Sequence, residues 1–348
     1  MSLLFLDGFD HYGLSIDKYD AQTITGGSHH NVTTEGRFTP GAYHLLGFAG
    51  GTAGNGTLTK SLTTTAEEGI FGFALKYDES ISFARFTFRN VSGSEIGGIS
   101  LAGPDIHVRD KDGDIVGTAS GVLTVSVWQY IEVRVKSHAT SGEVEIHVNG
   151  IQVLSVSALN TRGGAIGQWF ITRGAETDDA WIDDLYILDN LGPAPQNTFI
   201  GDTRVTVLRP KANGNTNNFT PSGAATNFDA VDETLHDDDT TFVEAGQLGA
   251  KEDYDNFDFA DLGISPGTIF GVQTVNAAKK TDAGQLKYRD QMVIGGTIFD
   301  NGTDVIATSG TYKMTTFIRD TDPSDGQAWT EDKVAAVGSG YEITFREV

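Results

Sequence analysis

Cysteine is absent from the 348-residue sequence, which excludes disulfide bonds, thiolate metal centres and a cysteine nucleophile. Long apolar runs are also missing, and no stretch approaches the roughly 20 apolar residues that a membrane-spanning helix needs. The opening MSLLFLDGFDHYG has no basic residue before its short apolar run, so we expect no secretion signal. These absences predict a chain that neither inserts into a membrane nor depends on disulfide bonds.

Basic residues are scarce, because 24 Lys and Arg stand against 47 Asp and Glu and give a formal net charge of −23. Such a chain repels phosphate backbones, so we expect no nucleic-acid partner. Much of the acidity lies in residues 231–262, where Lys251 is the sole Lys or Arg. We interpret that stretch as a solubility feature, with cation binding or a basic partner as the alternatives.

Helical periodicity is nearly absent, and many short stretches alternate apolar and polar residues with the period of a β-strand. Residues 84–89, 131–136 and 143–148 follow this pattern, and the last of them runs into Asn149-Gly150, a strong hairpin signal. Strands at this spacing predict an all-β sandwich. One short helix is predicted at residues 330–337, with Thr330 as its N-cap.

Prolines mark the predicted domain boundary. Residues 190–197 contain two of them, and proline interrupts strand pairing. We therefore predict a first domain over residues 1–190, a linker over 191–198 and a second, mainly β domain over 199–348.

Three segments carry a resemblance to a known fold: VWQYIEVRVK at 127–136, VEIHVNGIQV at 144–153 and WIDDLYILDN at 181–190. Together they resemble the concanavalin A-like, laminin-G-like (LamG-like) jelly roll, which implies a two-sheet sandwich over residues 1–190. This fold hosts lectins, hydrolases and adhesion modules, so the resemblance alone implies no function.

Two further segments are similar to parts of tailed-bacteriophage virion structural proteins: LLFLDGFDHYG at 3–13 and DPSDGQAWTEDKVAAVGSGYEI at 322–343. This resemblance implies a tail-tip or tail-fibre component, assembled in the host cytoplasm and released in virions by lysis. Its partners would be other virion proteins, further copies of itself in a trimer, and host-surface polysaccharide. The alternatives are a capsid decoration or head spike protein, and a stand-alone carbohydrate-binding lectin.

Glu143, Glu145 and His147 share one face of a predicted strand. Their spacing resembles that of the carboxylates in the active site of β-glucanases. Histidine is a poor substitute for a carboxylic acid that must protonate a glycosidic oxygen. The strand at 131–136 carries charges of both signs on the same side, so we interpret the row as cross-strand pairing on a solvated face. We predict no catalytic residue and no enzymatic activity, with a glycan-degrading enzyme as the alternative.

Aspartates are the candidate metal ligands, since laminin-G-like domains often hold calcium and hard oxygen ligands suit that ion. Residues 320–331 place acidic residues at EF-hand positions one, three and twelve, although the glycine falls one position late. The sequence predicts no cofactor, with calcium as the alternative. The candidate ligands are Asp178, Asp179, Asp183, Asp184, Asp320 and Asp322.

Two other features are predicted to be structural. Residues 109–117, RDKDGDIVG, read as a hairpin turn. The aromatic side chains within the strand patterns are predicted to belong to the core instead of forming a sugar platform. They are Trp128, Tyr130, Trp169 and Trp181.

Overall fold

The computed structural model describes residues 2–12, 18–24, 35–38, 42–46, 56–78, 81–173, 179–300, 302–307 and 309–347. The chain forms two compact units, one of Met1–Asp10 with Leu14–Thr206 and the other of His11–Gly13 with Val207–Val348. Strands dominate both units, which confirms the predicted all-β class. Within the described ranges, no helix has the length and apolar character needed to cross a membrane.

The strands of the first unit are numbered in chain order. They are β1 (Leu3–Asp7), β2 (Ala21–Ile24), β3 (Tyr43–Leu46), β4 (Gly56–Ser61), β5 (Glu68–Tyr77), β6 (Ser82–Asn90), β7 (Glu95–Ala102), β8 (Asp105–Arg109), β9 (Ile115–Ala119), β10 (Gln129–Lys136), β11 (Gly142–Val148), β12 (Ile151–Leu159), β13 (Ile166–Arg173) and β14 (Asp179–Asp189).

These strands form two antiparallel sheets. The first sheet has the order β1-β14-β5-β10-β11-β12, with β3 beside β14, and the second sheet has the order β2-β4-β13-β6-β7-β8-β9. Neighbours in each sheet are often distant in sequence, as expected for a jelly roll. The predicted jelly-roll sandwich, followed by a second mainly β unit, is confirmed.

Aromatic rings from both sheets meet in the core between them. Phe71 on β5 contacts Phe88 on β6 with ring centroids 5.3 Å apart, and Phe73 stacks on Phe86 at 4.4 Å. Trp169 is fully buried in the same core. Burial of each such ring contributes about 2–3 kcal/mol. Because alternate residues of each strand fill this core, the polar residues between them lie on the outer faces.

Two predicted turns are confirmed. Asn149 and Gly150 both have positive φ, at 52° and 76°, and join β11 to β12 as an Asn-Gly hairpin should. Between β8 and β9, the Asp110 carboxylate accepts hydrogen bonds from the backbone N–H groups of Asp112 and Asp114, each at 3.0 Å. The aspartates of RDKDGDIVG therefore close a turn.

The second unit contains a further set of short strands and two short helices. They are β15 (Pro210–Asn217), β16 (Thr220–Ser222), a 3₁₀ turn (Phe228–Ala230), β17 (Phe242–Glu244), β18 (Lys251–Asn256), β19 (Val272–Ala278), β20 (Leu286–Ile294), β21 (Thr297–Asp300), β22 (Val305–Ile306), β23 (Lys313–Arg319), α1 (Glu331–Ala335) and β24 (Val337–Arg346).

The main sheet of the second unit has the order β15-β18-β24-β20-β21, with β22 beside β20, and β16–β17 and β19–β23 form two separate pairs. Met292, Phe317 and Trp329 form part of its apolar core. The predicted helix is present as α1, and the Thr330 side chain accepts a hydrogen bond from the backbone N–H of Lys333. That bond satisfies one of the free N–H groups at the helix start.

Candidate functional site

A row of charged side chains crosses the outer face of the first sheet. Buried and half-buried residues alternate along β11, so Glu143, Glu145 and His147 point outward together. Arg134 on β10 is the register partner of Glu145 and donates from Nη2 to Oε2 of Glu145 and, at 3.4 Å, to Oε1 of Glu143. Oε1 of Glu145 lies 2.8 Å from Nε2 of His147. The predicted cross-strand pairing is confirmed, and we call these four residues the glutamate row.

An aromatic ring lies at one end of the glutamate row. The Phe199 ring stacks on the His147 ring with centroids 4.0 Å apart, and the Arg134 guanidinium lies 5.8 Å from the Phe199 centroid. Phe199 is half-buried. Fixed hydrogen-bond acceptors beside an aromatic surface can contact a polyhydroxylated ring, whose hydroxyls donate to carboxylates while its C–H groups pack on the aromatic face.

The chain that contains Phe199 continues across the centre of the same outer face, and we call residues 199–206 the covering segment. Its Gly201 N–H donates to Oε1 of Glu132 at 2.8 Å. Its Thr203 hydroxyl lies 2.5 Å from the hydroxyl of Tyr130. The covering segment was predicted from sequence to begin the second domain, and these contacts belong to the first unit.

Glu132 illustrates what the covering segment does to this face. The sequence placed Glu132 on a solvated face, and this is wrong, because its exposed fraction is 1%. Its Oε1 also accepts from the hydroxyl of Tyr186 at 2.5 Å. Gly72 leaves room for that ring, since a Cβ there would lie 2.3 Å from Cε1 of Tyr186. The buried carboxylate is therefore well supplied with hydrogen-bond donors.

Asp183 and Asp184, two of the predicted metal ligands, are buried under the covering segment's end. Asp183 accepts from the backbone N–H groups of Arg37 at 2.8 Å and of Asp184 at 2.7 Å. Asp184 accepts from the backbone N–H of Val205 at 2.8 Å and pairs with the Arg37 guanidinium at 3.4 Å. Donors thus surround both carboxyls, an arrangement that does not fit a calcium ion. Asp178 lies outside the described residues.

Burial controls the protonation of this pair. Removal from water, reinforced by the neighbouring charge of Asp184, raises the pKa of Asp183 to about 9. Burial also raises the pKa of Asp184, to about 6, against the hydrogen bond from Val205 and the charge of Arg37. At neutral pH Asp183 holds its proton, which lowers the cost of placing two carboxyls together.

Asp320 and Asp322, the other predicted ligands, lie in the turn before α1 and are 7% and 2% exposed. Oδ1 of Asp322 accepts from the backbone N–H of Ser324 at 2.8 Å, and its Oδ2 lies 3.5 Å from Nζ of Lys333. Asp322 therefore closes the turn and pairs with a cation. Across the part of the chain that the structure describes, no three His, Asp or Glu side chains gather as a metal site.

The aromatic residues are placed as predicted, with one partial exception. Tyr130, Trp169 and Trp181 are buried, and Trp128 is half-buried. Phe199, whose ring stacks on the outward-facing His147, was not selected from the sequence, because the contact joins two distant parts of the chain.

Comparisons with known proteins give structural neighbours alone. No protein-family model matches the chain, and no curated protein sequence matches it. An endo-β-1,4-glucuronan lyase from Trichoderma reesei is 16% identical, with a TM-score of 0.32, over 53% of this chain and 94% of its own. A Bacillus subtilis protein of unknown function with a galectin-like fold is 11% identical, with a TM-score of 0.39, over 54% and 98%. The Ca²⁺/Man3GlcNAc-bound VIP36 exoplasmic/lumenal domain is 10% identical, with a TM-score of 0.34, over 47% and 86%.

These neighbours correct one prediction from the sequence, which was that the protein has no enzymatic activity. That prediction rested on the side chains of the glutamate row and does not stand, because an endo-β-1,4-glucuronan lyase is among the similar structures. Activity depends on the side chains that a sandwich displays, and the same sandwich serves enzymes and binding proteins. The fold therefore leaves the question of catalysis open.

Proposed function

We propose that this chain is a tailed-bacteriophage virion structural protein, a tail-tip or tail-fibre component, and that its first, laminin-G-like unit contacts host-surface polysaccharide. Support for the virion assignment comes from the two segments at 3–13 and 322–343 that are similar to virion proteins. Support for glycan contact comes from the glutamate row and the Phe199 ring beside it.

The observation that carries the glycan proposal is that the glutamate row is held in place by hydrogen bonds among its own side chains. Arg134 donates to both glutamates, and His147 lies beside Glu145. An ionised carboxylate offers about four acceptor positions, so each glutamate keeps positions for further donors. A self-paired row of this kind suits neutral sugar hydroxyls, which need fixed acceptors and bring no charge of their own.

The row is accessible as well as ordered. The exposed side-chain fractions are 30% for Arg134, 31% for Glu143, 12% for Glu145 and 18% for His147. A shallow contact of this size binds a single sugar weakly. Repetition in a trimeric virion component, with further copies along the particle, converts weak contacts into firm adhesion, as a protein that holds a phage to a host surface requires.

Binding of the full-length chain to polysaccharide purified from host cells tests the glycan contact. We expect Phe199→Ala and Glu145→Gln each to weaken binding about tenfold, the loss of roughly one good contact. The matched controls are Val91→Ala, an exposed apolar residue of the first unit, and Glu244→Gln, an exposed glutamate of the second unit. Unchanged binding by both Phe199→Ala and Glu145→Gln would place the contact elsewhere.

Immunogold electron microscopy with antibody against the full chain tests the virion assignment separately. Label at the tail end supports a tail-tip or fibre component. Label over the capsid would instead support the decoration or spike alternative. Absence of label from every particle would contradict the virion assignment and favour a stand-alone lectin, whatever the binding experiment shows.

A further inference from the structure

The outer face of the second sheet carries three arginines close together. Residues 84, 86 and 88 of β6 point into the core, so Arg85, Thr87 and Arg89 share the outer face. Thr87 pairs in register with Gly98 on β7, and Gly98 pairs with Arg109 on β8. Arg109 therefore lies across a bare glycine from Thr87, and we call Arg85, Arg89 and Arg109 the arginine cluster.

The guanidinium groups of the arginine cluster have few partners among the described residues. Within that part of the chain, none of the three arginines forms an ion pair within 4.0 Å, and the side chains of Arg85 and Arg89 make no hydrogen bond. Arg109 donates to neutral groups, from Nε to the Ser100 hydroxyl at 2.7 Å and from Nη1 to the Gly113 carbonyl at 2.5 Å. These contacts fix its position without balancing its charge.

A glutamate lies beside the arginine cluster and forms no ion pair with its members. Glu95 is the register partner of Arg89, and its Oε1 is buried without a hydrogen-bond partner in the described part of the chain. Burial raises the pKa of Glu95, while the charges of all three arginines oppose that rise. The carboxyl is thus near enough to interact with the arginines through space, yet it forms no ion pair with any of them. Two aspartates of the β8–β9 turn are also close, since Asp114 acts on Arg109 and Asp110 acts on Glu95 through space.

Thr87 and Phe170 are the remaining neighbours of the arginine cluster. Thr87 is 1% exposed, and its hydroxyl has no hydrogen-bond partner among the described residues. Phe170 on β13 is the register partner of Thr87, and the Arg89 guanidinium lies 3.2 Å from its ring centroid. This cation–π contact holds the guanidinium in place. The Thr87 hydroxyl and the Arg89 guanidinium therefore lie on the same face as Arg85, which makes no ion pair with a described residue.

We propose that the arginine cluster binds an oxyanionic group, a carboxylate or a sulfate ester carried by an acidic saccharide. The planar guanidinium donates two parallel hydrogen bonds to such groups, and a bound anion relieves the repulsion among three neighbouring cations. Long polyphosphates such as nucleic acids fit poorly, because the net charge of −23 repels a long polyanion more strongly than a short saccharide that carries few charges. The site lies on the other sheet from the glutamate row, so it goes beyond the proposed function and does not depend on it.

Titration of the full-length ¹⁵N-labelled protein tests the proposal, with Arg Nε–H resonances and calorimetry as the readouts. The probes are a glucuronic acid tetrasaccharide, its methyl ester as the matched neutral ligand, and sodium sulfate. We expect the tetrasaccharide to bind saturably and to shift the Arg85 and Arg89 signals, while the methyl ester leaves them unchanged. Added sodium chloride weakens the binding, since salt screens exposed charges.

Substitutions distinguish a specific anion site from nonspecific attraction to positive charge. Arg85→Gln and Arg89→Gln should each raise the dissociation constant about tenfold or more, the loss of one charge-assisted hydrogen bond. Thr87→Val keeps every charge and nearly the same shape, and it should weaken binding by a smaller factor. The charge-matched control is Arg346→Gln in the second unit, which should bind like the unsubstituted protein. Thermal unfolding of each variant confirms that it is folded.

The outcomes are distinct. Tighter binding of the tetrasaccharide than of sulfate identifies an acidic saccharide as the source, and equal binding identifies a small inorganic anion at the same oxyanion site. Three results would overturn the proposal: no saturable binding of either anion, equal binding of the methyl ester, or a loss in Arg346→Gln that matches the loss in Arg85→Gln.

Discussion

The two outer faces of the jelly roll differ in whether their arginines form ion pairs. On the first sheet, Arg134 pairs with two glutamates of the neighbouring strand, and His147 lies beside one of them. On the second sheet, Arg85 and Arg89 stand without an ion pair among the described residues. Strand alternation exposes polar residues on both faces equally. The difference lies in whether the side chains of neighbouring strands meet: Arg134 contacts the glutamates beside it, whereas Arg89 and its register partner Glu95 form no ion pair.

The register explains the difference strand by strand. On the first sheet, β10 and β11 place Arg134 opposite Glu145 and Lys136 opposite Glu143, so opposite charges meet directly. On the second sheet, the register partners of Arg85 are Thr172 and Ser100, which supply no acid, and Glu95, the register partner of Arg89, forms no ion pair with it. A face whose charges are paired suits neutral hydroxyl groups, whereas a face with unpaired cations suits an anion.

The largest effect is expected for Glu132→Ala on the first sheet. Its loss leaves the Tyr186 hydroxyl and the Gly201 N–H without their acceptor in a buried place. Each unsatisfied donor costs about 1–3 kcal/mol, so the free energy of unfolding should fall by about 3 kcal/mol. Arg89→Gln on the second sheet loses only its contact with Phe170 and should cost about 1 kcal/mol or less.

Urea unfolding of the first unit in the two variants measures this contrast. Tyr186→Phe is the control for the hydrogen bond, because it removes the donor together with the need for an acceptor, and it should cost less than Glu132→Ala. Equal losses of unfolding free energy in Glu132→Ala and Arg89→Gln would contradict this prediction, since both side chains would then be equally important for the stability of their sheets.

A pH dependence is expected on the first sheet from Asp183. Its folded pKa is raised to about 9 from an ordinary 3.8, so the folded state keeps a proton that the unfolded state releases. The stability from this group is complete below about pH 4 and is lost as the pH rises toward 9. Asp183→Asn, which cannot ionise, should therefore flatten the fall of the unfolding temperature of the first unit with rising pH.

Calorimetry of the wild type and Asp183→Asn between about pH 5 and pH 9 checks the slope. Asp184→Asn is the second variant: it removes a charge that helps to raise the pKa of Asp183, so it should also flatten the slope, and by less than Asp183→Asn. Identical slopes in the wild type and Asp183→Asn would show that the pair is exposed to water and that the covering segment does not seal this face.

The sequence predicted the parts of both faces that depend on local periodicity. Alternation along 142–148 placed Glu143, Glu145 and His147 together, and alternation along 84–89 placed Arg85 and Arg89 together. The burial of Glu132 could not be predicted in this way, because the Gly201 N–H that caps it lies 69 residues further along the chain. Short-range patterns set which way a side chain points, and long-range topology sets what covers it.

The metal candidates show the same limit. Paired aspartates at 183 and 184 read from sequence as hard oxygen ligands, but the donors that reach them come from Arg37 and Val205. Neither residue is marked by any motif. The sequence therefore identified the acidic pair. It could not show whether the two carboxyls bind a cation or accept hydrogen bonds from two backbone segments.

The smallest effect is expected when Arg134 and Arg85 are each replaced by glutamine, and the two changes in the free energy of unfolding should differ in sign. Arg134→Gln removes half-exposed ion pairs with Glu143 and Glu145, which solvent screens, so it should lower the free energy of unfolding by about 0.5 kcal/mol. Arg85→Gln removes a cation that forms no ion pair with a described residue and that, after burial, lowers the pKa of Arg109. It should leave stability unchanged or raise it by a few tenths of a kcal/mol, because like charges on nearby strands repel.

Urea unfolding of both variants at low and high salt measures this sign. Salt screens attraction and repulsion alike, so both changes should shrink toward zero as sodium chloride is added. Destabilisation by Arg85→Gln as large as that by Arg134→Gln would mean that the second sheet's arginines already have partners. The two faces would then be equivalent, and the arginine cluster would have no unmet charge to offer an anion.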